Sequence, residues 1–217
     1  IPLRLVGSEM CIRDSPSPLL VESTEEVAVP TPQGLCGLRA WRFADGAEHI
    51  SARALDRDGT PVPAEDGGVP AVRIHSECAT GDIFGSFRCD CGPQLENGLR
   101  IIGRTGGYLI YVRNHEGRGI GLVNKLRAYA LQDAGLDTLD ANLALGLDGD
   151  MRDYSQAALI LQELGVNELR LVTNNPAKQE ALESLGLQVT ELIPDEIPAR
   201  VENAHYLQTK RERMRHV

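Results

Sequence analysis

The sequence predicts an α/β protein: a mixed sheet with flanking helices, β-rich in its N-terminal part and closing in a C-terminal βαβ unit. Three observations carry this. Residues 26–75 alternate apolar runs with turn-rich stretches, the pattern of short strands. Residues 93–133 hold two stretches with apolar side chains at helical spacing. Residues 169–192 read strand, turn, helix, strand, the layout of a βαβ unit.

The elements follow in order. Leu35–Phe43, His49–Leu55 and Val69–Ile74 are strand candidates, parted by turns such as Asp56-Arg57-Asp58-Gly59. Pro61–Gly68, rich in Pro, Gly and acid, is expected to be a mobile surface loop. After a cysteine-containing loop, Pro93 suits the first position of a helix. Leu95, Leu99 and Ile102 then repeat at i, i+4, i+7, and Gly106-Gly107 closes it. Tyr108–Val112 is a continuous apolar run that suits a buried strand. Asn114–Gly121 is a Gly-rich loop, followed by a helix over Leu122–Asp133 with Leu122, Leu126 and Tyr129 on one stripe. Residues 136–153 read as irregular and acidic. Ser155–Leu164 is a helix that ends at Gly165. In the βαβ unit, Leu169–Thr173 is a strand, Asn174-Asn175 a turn, Pro176–Leu185 a helix and Leu187–Leu192 a strand.

At 217 residues the chain holds one full domain with a sizeable core. Aromatics are only 4%, so that core is expected to be mostly Leu, Val, Ile and Ala. Lys plus Arg number 22 against 31 Asp plus Glu, a net charge of −9. A chain this acidic is repelled by a phosphate field, so neither nucleic acid nor an anionic membrane is expected as a partner. A local basic pocket for one small anion remains allowed. No apolar run approaches the ~18 residues of a membrane-spanning helix.

Residues 1–25 read as a leader that is non-native or disordered. VGSEMCIRDS resembles translated sequencing-adapter text, and no secretory pattern is present. Residues 211–217 form a basic tail. Five cysteines, an odd count without a secretory signal, point to a reducing, cytoplasmic setting. Cys36 sits in a strand-like run as a small core residue.

Cys78, Cys89 and Cys91 form a C-x10-C-x-C pattern. Three thiolates held close suit zinc, and three protein ligands leave a corner for a water whose pKa falls to about 7. Arg73, Arg88 and the helix start near Pro93 add positive potential. The alternatives are a closed structural site completed by His75 or His115, and cysteines without metal. Two further constellations lie at strand-to-helix turns. Glu116-Gly117-Arg118 belongs to a Gly-rich stretch that is neither a P-loop nor a dinucleotide fingerprint, yet it lets a ligand approach backbone N–H groups. Thr173 to Lys178 gathers a hydroxyl, N–H groups and an ammonium, as phosphate would need. A surface turn and a capped helix are the plainer readings of these two.

Together these segments resemble GTP cyclohydrolase II. The likeness rests on RIHSECATGD (Arg73–Asp82), RCDCG (Arg88–Gly92), EGRGIGL (Glu116–Leu122), KLRAY (Lys125–Tyr129) and LVTNNP (Leu171–Pro176), in matching order over roughly residues 27–210. It implies a single cyclohydrolase domain over 26–210 that opens the imidazole ring of GTP, releasing formate and pyrophosphate. One zinc per subunit on Cys78, Cys89 and Cys91, Mg²⁺ with the triphosphate, and a homodimer are also implied. Carried over, Arg73, Ile74, His75, Ser76, Glu77, Gln94, Glu116, Gly117, Arg118, Thr138, Thr173 and Lys178 contact GTP. Asp150 becomes a proton acceptor, Arg152 a nucleophile or charge stabiliser, and Tyr129 a catalytic tyrosine. From the bare residues, a packed core side chain is the alternative for Tyr129, and an exposed ion pair fits Asp150 with Arg152 well. Glu116 or Gln94 is expected to read the guanine donors, and Arg118 or a backbone N–H its acceptors. Many family members carry a fused upstream synthase; with few residues ahead of the cyclohydrolase part, this chain is expected to be monofunctional. The alternative enzyme is a relative that stops at the formamide.

Overall fold

Antiparallel pairing organises the first third of the chain. The structure, a computed structural model, describes residues 18–147, 150–195, 197–200 and 202–203. Residues 1–17 of the expected leader and the whole basic tail lie outside the described residues. Strand β1 (Leu20–Ser23) and strand β2 (Val27–Thr31) both pair with β3 (Gly34–Phe43), and β3 pairs with β4 (Glu48–Leu55), all antiparallel. Residues 20–23 were assigned to the leader on sequence, but they form a sheet edge against Trp41–Phe43. A strand of four residues carries too short an alternation to be read without its partner. The Pro/Gly/acid stretch is tied back to β4, Val62 N donating to Ala54 O at 3.0 Å, and makes a 3-10 turn at Glu65–Gly67.

The second half is parallel. Strand β5 (Ala71–Ser76) runs into α1 (Ala79–Asp82) and α2 (Cys91–Thr105), then β6 (Gly107–Val112). The short α3 (Glu116–Gly119), α4 (Gly121–Asp133), α5 (Thr138–Ala144) and α6 (Ser155–Glu163) lead to β7 (Glu168–Val172), α7 (Pro176–Ser184) and β8 (Gln188–Ile193). The sheet order is β1-β3-β4-β6-β5-β7-β8, with β2 paired to β3 and the last four of these strands mutually parallel. This is the expected mixed sheet with a closing βαβ unit. Helix α5 falls in the stretch read as irregular. Asp137 Oδ1 accepts from Asp140 N at 2.9 Å, a local cap that leaves only a short D-x-x-D signal in the sequence.

Strand alternation divides the core. Val72 and Ile74 of β5, Ile110 and Val112 of β6, and Leu169 and Leu171 of β7 pack with α6 and α7 on one face. Leu109, with Ala52 of β4, packs under Ile102 of α2 on the other. Arg73 and His75 alternate with Val72 and Ile74, so they lie on the α2 face. Gly98 of α2 sits so close to Arg73 that a Cβ would meet its Cγ at 3.0 Å. Gly107 has φ +127°, and an added Cβ would lie 2.0 Å from Ala71 O of the paired strand, so only glycine opens β6 there. Cys36 is buried as expected.

Helix α7 starts as its sequence predicts, with Pro176 at the first turn and Asn175 Oδ1 accepting from Ala177 N at 3.1 Å. Asn175→Ala is expected to cost about 1 kcal/mol, lowering a thermal midpoint by roughly 2–4 °C in a calorimetric or circular-dichroism melt.

Helix α4 differs from expectation. Leu122 and Leu126 are 44% and 50% exposed, while Lys125 is only 8% exposed. The buried positions are the lysine and Ala128, and the two leucines of the expected stripe face outward while its Tyr129 turns to the cleft.

Candidate active site

Order reversal in the parallel sheet positions the site. β5 is flanked by β6, which follows it directly through α2, and by β7, which comes later. Ligand clefts form beyond the carboxyl ends of strands at such a switch point. The segments after β5, β6 and β7 converge there into one cleft.

The thiols come first. Cys78 follows β5, and Cys91 opens α2 two positions earlier than Pro93 suggested. Their ligand atoms and that of Cys89 all lie within 4.8 Å of one another, with 3.7 Å between Cys78 Sγ and Cys89 Sγ. Gly81 makes this convergence possible: a Cβ there would meet Cys89 Sγ at 2.9 Å and Cys78 Sγ at 3.1 Å. Hydrogen bonds from Cys89 and Cys91, together with nearby Lys125, hold the Cys78 thiol far below its ordinary range. The bond with Cys78 and burial push Cys89 up against an opposing bond with Cys91, and bonds with Cys78 and Cys89 together with burial push Cys91 up. Soft sulfurs gathered on one point, with one already held as thiolate, fit a soft or borderline divalent ion, and these cysteines form a group that could hold a metal. Among the described residues neither histidine joins this group. His75 Nε2 faces Asp82 at 3.1 Å, while His115 bonds Ser76 Oγ at 3.1 Å and Asp153 O at 3.0 Å.

Around the thiols, Lys125 Nζ donates to Cys78 Sγ at 3.0 Å and to Glu116 Oε1 at 2.5 Å. Burial opposes its charge, but Cys78 and Glu116 prevail and raise its pKa. Glu116 Oε2 accepts from Ala79 N at 2.6 Å. Tyr129, one turn beyond Lys125 on α4, has its hydroxyl 3.5 Å from Thr80 Oγ1, and Arg88 lies over its ring at 4.8 Å. Burial raises the Tyr129 pKa, so the phenol keeps its proton at neutral pH.

The cations form the opposite wall. Arg73 donates to Val172 O at 3.0 Å and to Gln94 Oε1 at 2.8 Å, and its NH1 lies 2.9 Å from Asp195 Oδ2. Gln94 in turn donates to Asp90 at 2.7 Å, between two of the cysteines. Lys178, buried on α7, donates to Ile74 O at 2.8 Å. Thr173 Oγ1 accepts from Asn175 N at 3.1 Å. Gly117 and Arg118 both have positive φ, 60° and 69°, turning the chain sharply before α4. A Cβ on Gly117 would press on Ile120 at 2.8 Å. Arg118 O accepts from Met151 N at 3.0 Å, which brings Arg152 to the cleft. Arg152 donates through Nε to Asp150 Oδ1 at 2.8 Å and through NH2 to Oδ2. Burial pushes the Asp150 carboxyl up, but these bonds and the guanidinium charge hold it below the usual carboxylate range.

Of the site residues named from sequence, Arg73, His75, Ser76, Glu77, Gln94, Gly117, Arg118, Thr173, Lys178, Tyr129, Arg152 and the three cysteines line the cleft. Ile74 does not: its side chain lies in the core, because its neighbours on β5 point to the other face. Glu116 and Asp150 stand behind the lining, holding Lys125 and Arg152. The side chain of Thr138 lies outside the described residues. The sequence reading missed Lys125, Asn142 and Asp195 as parts of the site. His115 it weighed only as a metal ligand; here burial and Arg152 lower its pKa to about 4, so it stays neutral. The KLRAY segment was a signal for Lys125; nothing local marked Asp195.

Fold and cleft together define a class: an α/β protein with a three-thiol group that could hold a metal, beside a cation-lined cleft at the edge of its parallel strands. The GTP cyclohydrolase II family model matches residues 22–194, and the chain belongs to that family. It is 51% identical over 198 residues to "Riboflavin biosynthesis protein RibBA" of Rhodococcus jostii strain RHA1, covering 90% of this chain and 47% of that protein. It is 50% identical over 197 residues to the protein of the same name from Mycobacterium marinum, covering 90% and 46%. The chain thus spans about half the length of the curated relatives it matches. A crystal structure of RibBX, a two-domain 3,4-dihydroxy-2-butanone 4-phosphate synthase from A. baumannii, aligns at a TM-score of 0.42 and 18% identity, covering 79% of this chain and 40% of that one. Among the described residues no helix is long and apolar enough to cross a membrane.

Proposed function

We propose that this chain hydrolyses GTP, opening the imidazole ring to give formate, pyrophosphate and 2,5-diamino-6-ribosylamino-pyrimidinone 5'-phosphate, the first step of riboflavin biosynthesis. One observation carries the reading. In a chain of this family, Cys78, Cys89 and Cys91 converge in the same cleft as Arg118, Arg152 and Lys178. Water adds at C8, the ring C–N bond breaks to a formamide, and further hydrolysis frees formate; a separate hydrolysis releases pyrophosphate.

The three cysteines are the proposed holders of zinc, which when bound supplies Lewis-acid chemistry and activated water near neutral pH. The protein groups do the rest. Tyr129 keeps its proton and stands beside the thiols, placed to hold or pass a proton as formate leaves. Lys178 and Arg118 offset the triphosphate charge, with Mg²⁺ carried mainly by the phosphates themselves. His75, Ser76, Glu77, Gln94, Gly117, Thr138 and Thr173 complete the proposed contacts to GTP. Glu116 has both oxygens engaged with Lys125 and Ala79, so we assign it to shaping the turn rather than reading guanine. Asp150 stays ionised and grips Arg152 through two bonds, so the guanidinium stays a cation. That favours charge stabilisation at the α-phosphorus over covalent attack; a phosphoramidate trapped on Arg152 would reverse the choice. A homodimer is also proposed, and the exposed apolar residues Leu122, Val123 and Leu126 support it. A cytoplasmic location without nucleic-acid or membrane partners remains part of the proposal.

The direct test is incubation of the chain with GTP, Zn²⁺ and Mg²⁺, measuring formate and pyrophosphate together. Equal release supports the reading, and absence of formate sinks it. A product whose mass retains the formyl carbon identifies the formamide-stopping alternative. Tyr129→Phe is expected to slow formate release by about 100-fold or more while bound zinc stays at the parent level. Formate release at the parent rate would remove Tyr129 from the chemistry.

A further inference from the structure

Helix α4 turns a lysine inward while Leu122 and Leu126 face solvent. A buried ammonium needs partners to offset its lost hydration. Lys125 has two: Cys78 Sγ at 3.0 Å and Glu116 Oε1 at 2.5 Å. The bridge goes on, because Glu116 Oε2 accepts from Ala79 N at 2.6 Å, the residue after Cys78. Glu116 Oε1 also accepts from Gly117 N at 3.2 Å. One ammonium therefore joins the loop after β5, the turn after β6 and helix α4. Neutralising Glu116 alone would not require contact with sulfur. Three thiolates around a dication carry one net negative charge, and Lys125 brings one positive charge directly onto one of those sulfurs.

We propose that Lys125 is a positioning residue of the metal centre. It fixes Cys78 Sγ by a charge-assisted N–H···S bond, offsets the excess negative charge of the three-thiolate site, and ties that site through Glu116 to the Gly117-Arg118 turn. The proposal rests on reading the cysteines as a zinc site and is independent of GTP turnover.

The experiment measures zinc affinity of the full chain by competition with a chromophoric chelator, alongside thermal melts of each variant. Lys125→Met is expected to bind zinc 10–100-fold more weakly than the parent, the usual cost of losing an outer partner of a metal ligand. Lys125→Arg, which keeps the charge, should stay closer to the parent than Lys125→Met. Because Lys125→Met strands the buried Glu116, the double variant K125M/E116Q removes both charges and guards against misfolding. It should remain as weak for zinc as Lys125→Met. Parent affinity in Lys125→Met, or its full return in the double variant, would show that Lys125 serves only to neutralise Glu116 and would overturn the proposal. A parent chain that binds no zinc overturns both the proposal and the metal reading. A parent that binds zinc but leaves GTP intact overturns the reaction alone.

Discussion

Cys89→Ser is expected to abolish tight zinc binding and, with it, formate release from GTP. The serine oxygen is a harder and less acidic donor, and it would have to reach a point now shared by three sulfurs within 4.8 Å. Loss of a direct ligand should exceed the 10–100-fold that outer partners cost, so turnover is expected to fall by more than about 100-fold. Zinc content of the purified variant, measured by elemental analysis, and formate release together check this. Cys36→Ser is the control. Cys36 is buried in β3 and takes no part in the thiol group, so zinc content should match the parent. A parent enzyme that runs at full rate after exhaustive chelation would refute the metal-dependent reading outright.

Asp195→Ala is expected to be the most destabilising single change discussed. Asp195 is fully buried just beyond β8. Its Oδ2 lies 2.9 Å from Arg73 NH1, close in distance though out of hydrogen-bond alignment, and its Oδ1 accepts from Asn97 at 2.7 Å. Its backbone is clamped from both sides by Asn174, at 2.6 and 2.8 Å. Removing the carboxylate strands the Arg73 charge in the interior, a loss of about 3–5 kcal/mol. For a chain of this size that lowers the thermal midpoint by roughly 6–20 °C. Asp195→Asn keeps the shape and the bond from Asn97, and should lose less. Thermal melts of the three proteins decide; an alanine variant as stable as the parent would mean that Arg73 finds other compensation. Because Arg73 also holds Gln94, the alanine variant should weaken GTP binding beyond what its stability loss explains.

Much of the frame was legible in the chain. The long strands β3 and β4 and the closing βαβ unit show clear alternation or clear punctuation, and their bounds fall within a residue or two of the reading. The C-x10-C-x-C spacing already singled out three candidate ligands, and the structure brings those sulfurs together. What escaped had either a short signal or a distant cause. Strand β1 is four residues long, and α5 announced itself only through an Asp137 cap. Ile74 entered the expected GTP contacts through the family resemblance; a strand sends neighbours to opposite faces, and its side chain lies in the core.

From residue order alone came the α/β class, the closing βαβ unit, the three thiols and the glycine-rich turn, because periodicity, spacing and turn chemistry act over a few neighbouring residues. Tertiary structure alone decided that α4 buries Lys125 and exposes Leu126, and that Asp195 answers Arg73. One partner of Lys125, the Cys78 sulfur at 3.0 Å, lies 47 positions away in the chain. Such a pairing has no local period to betray it; it exists only once the sheet has carried β5, β6 and β8 to the same edge.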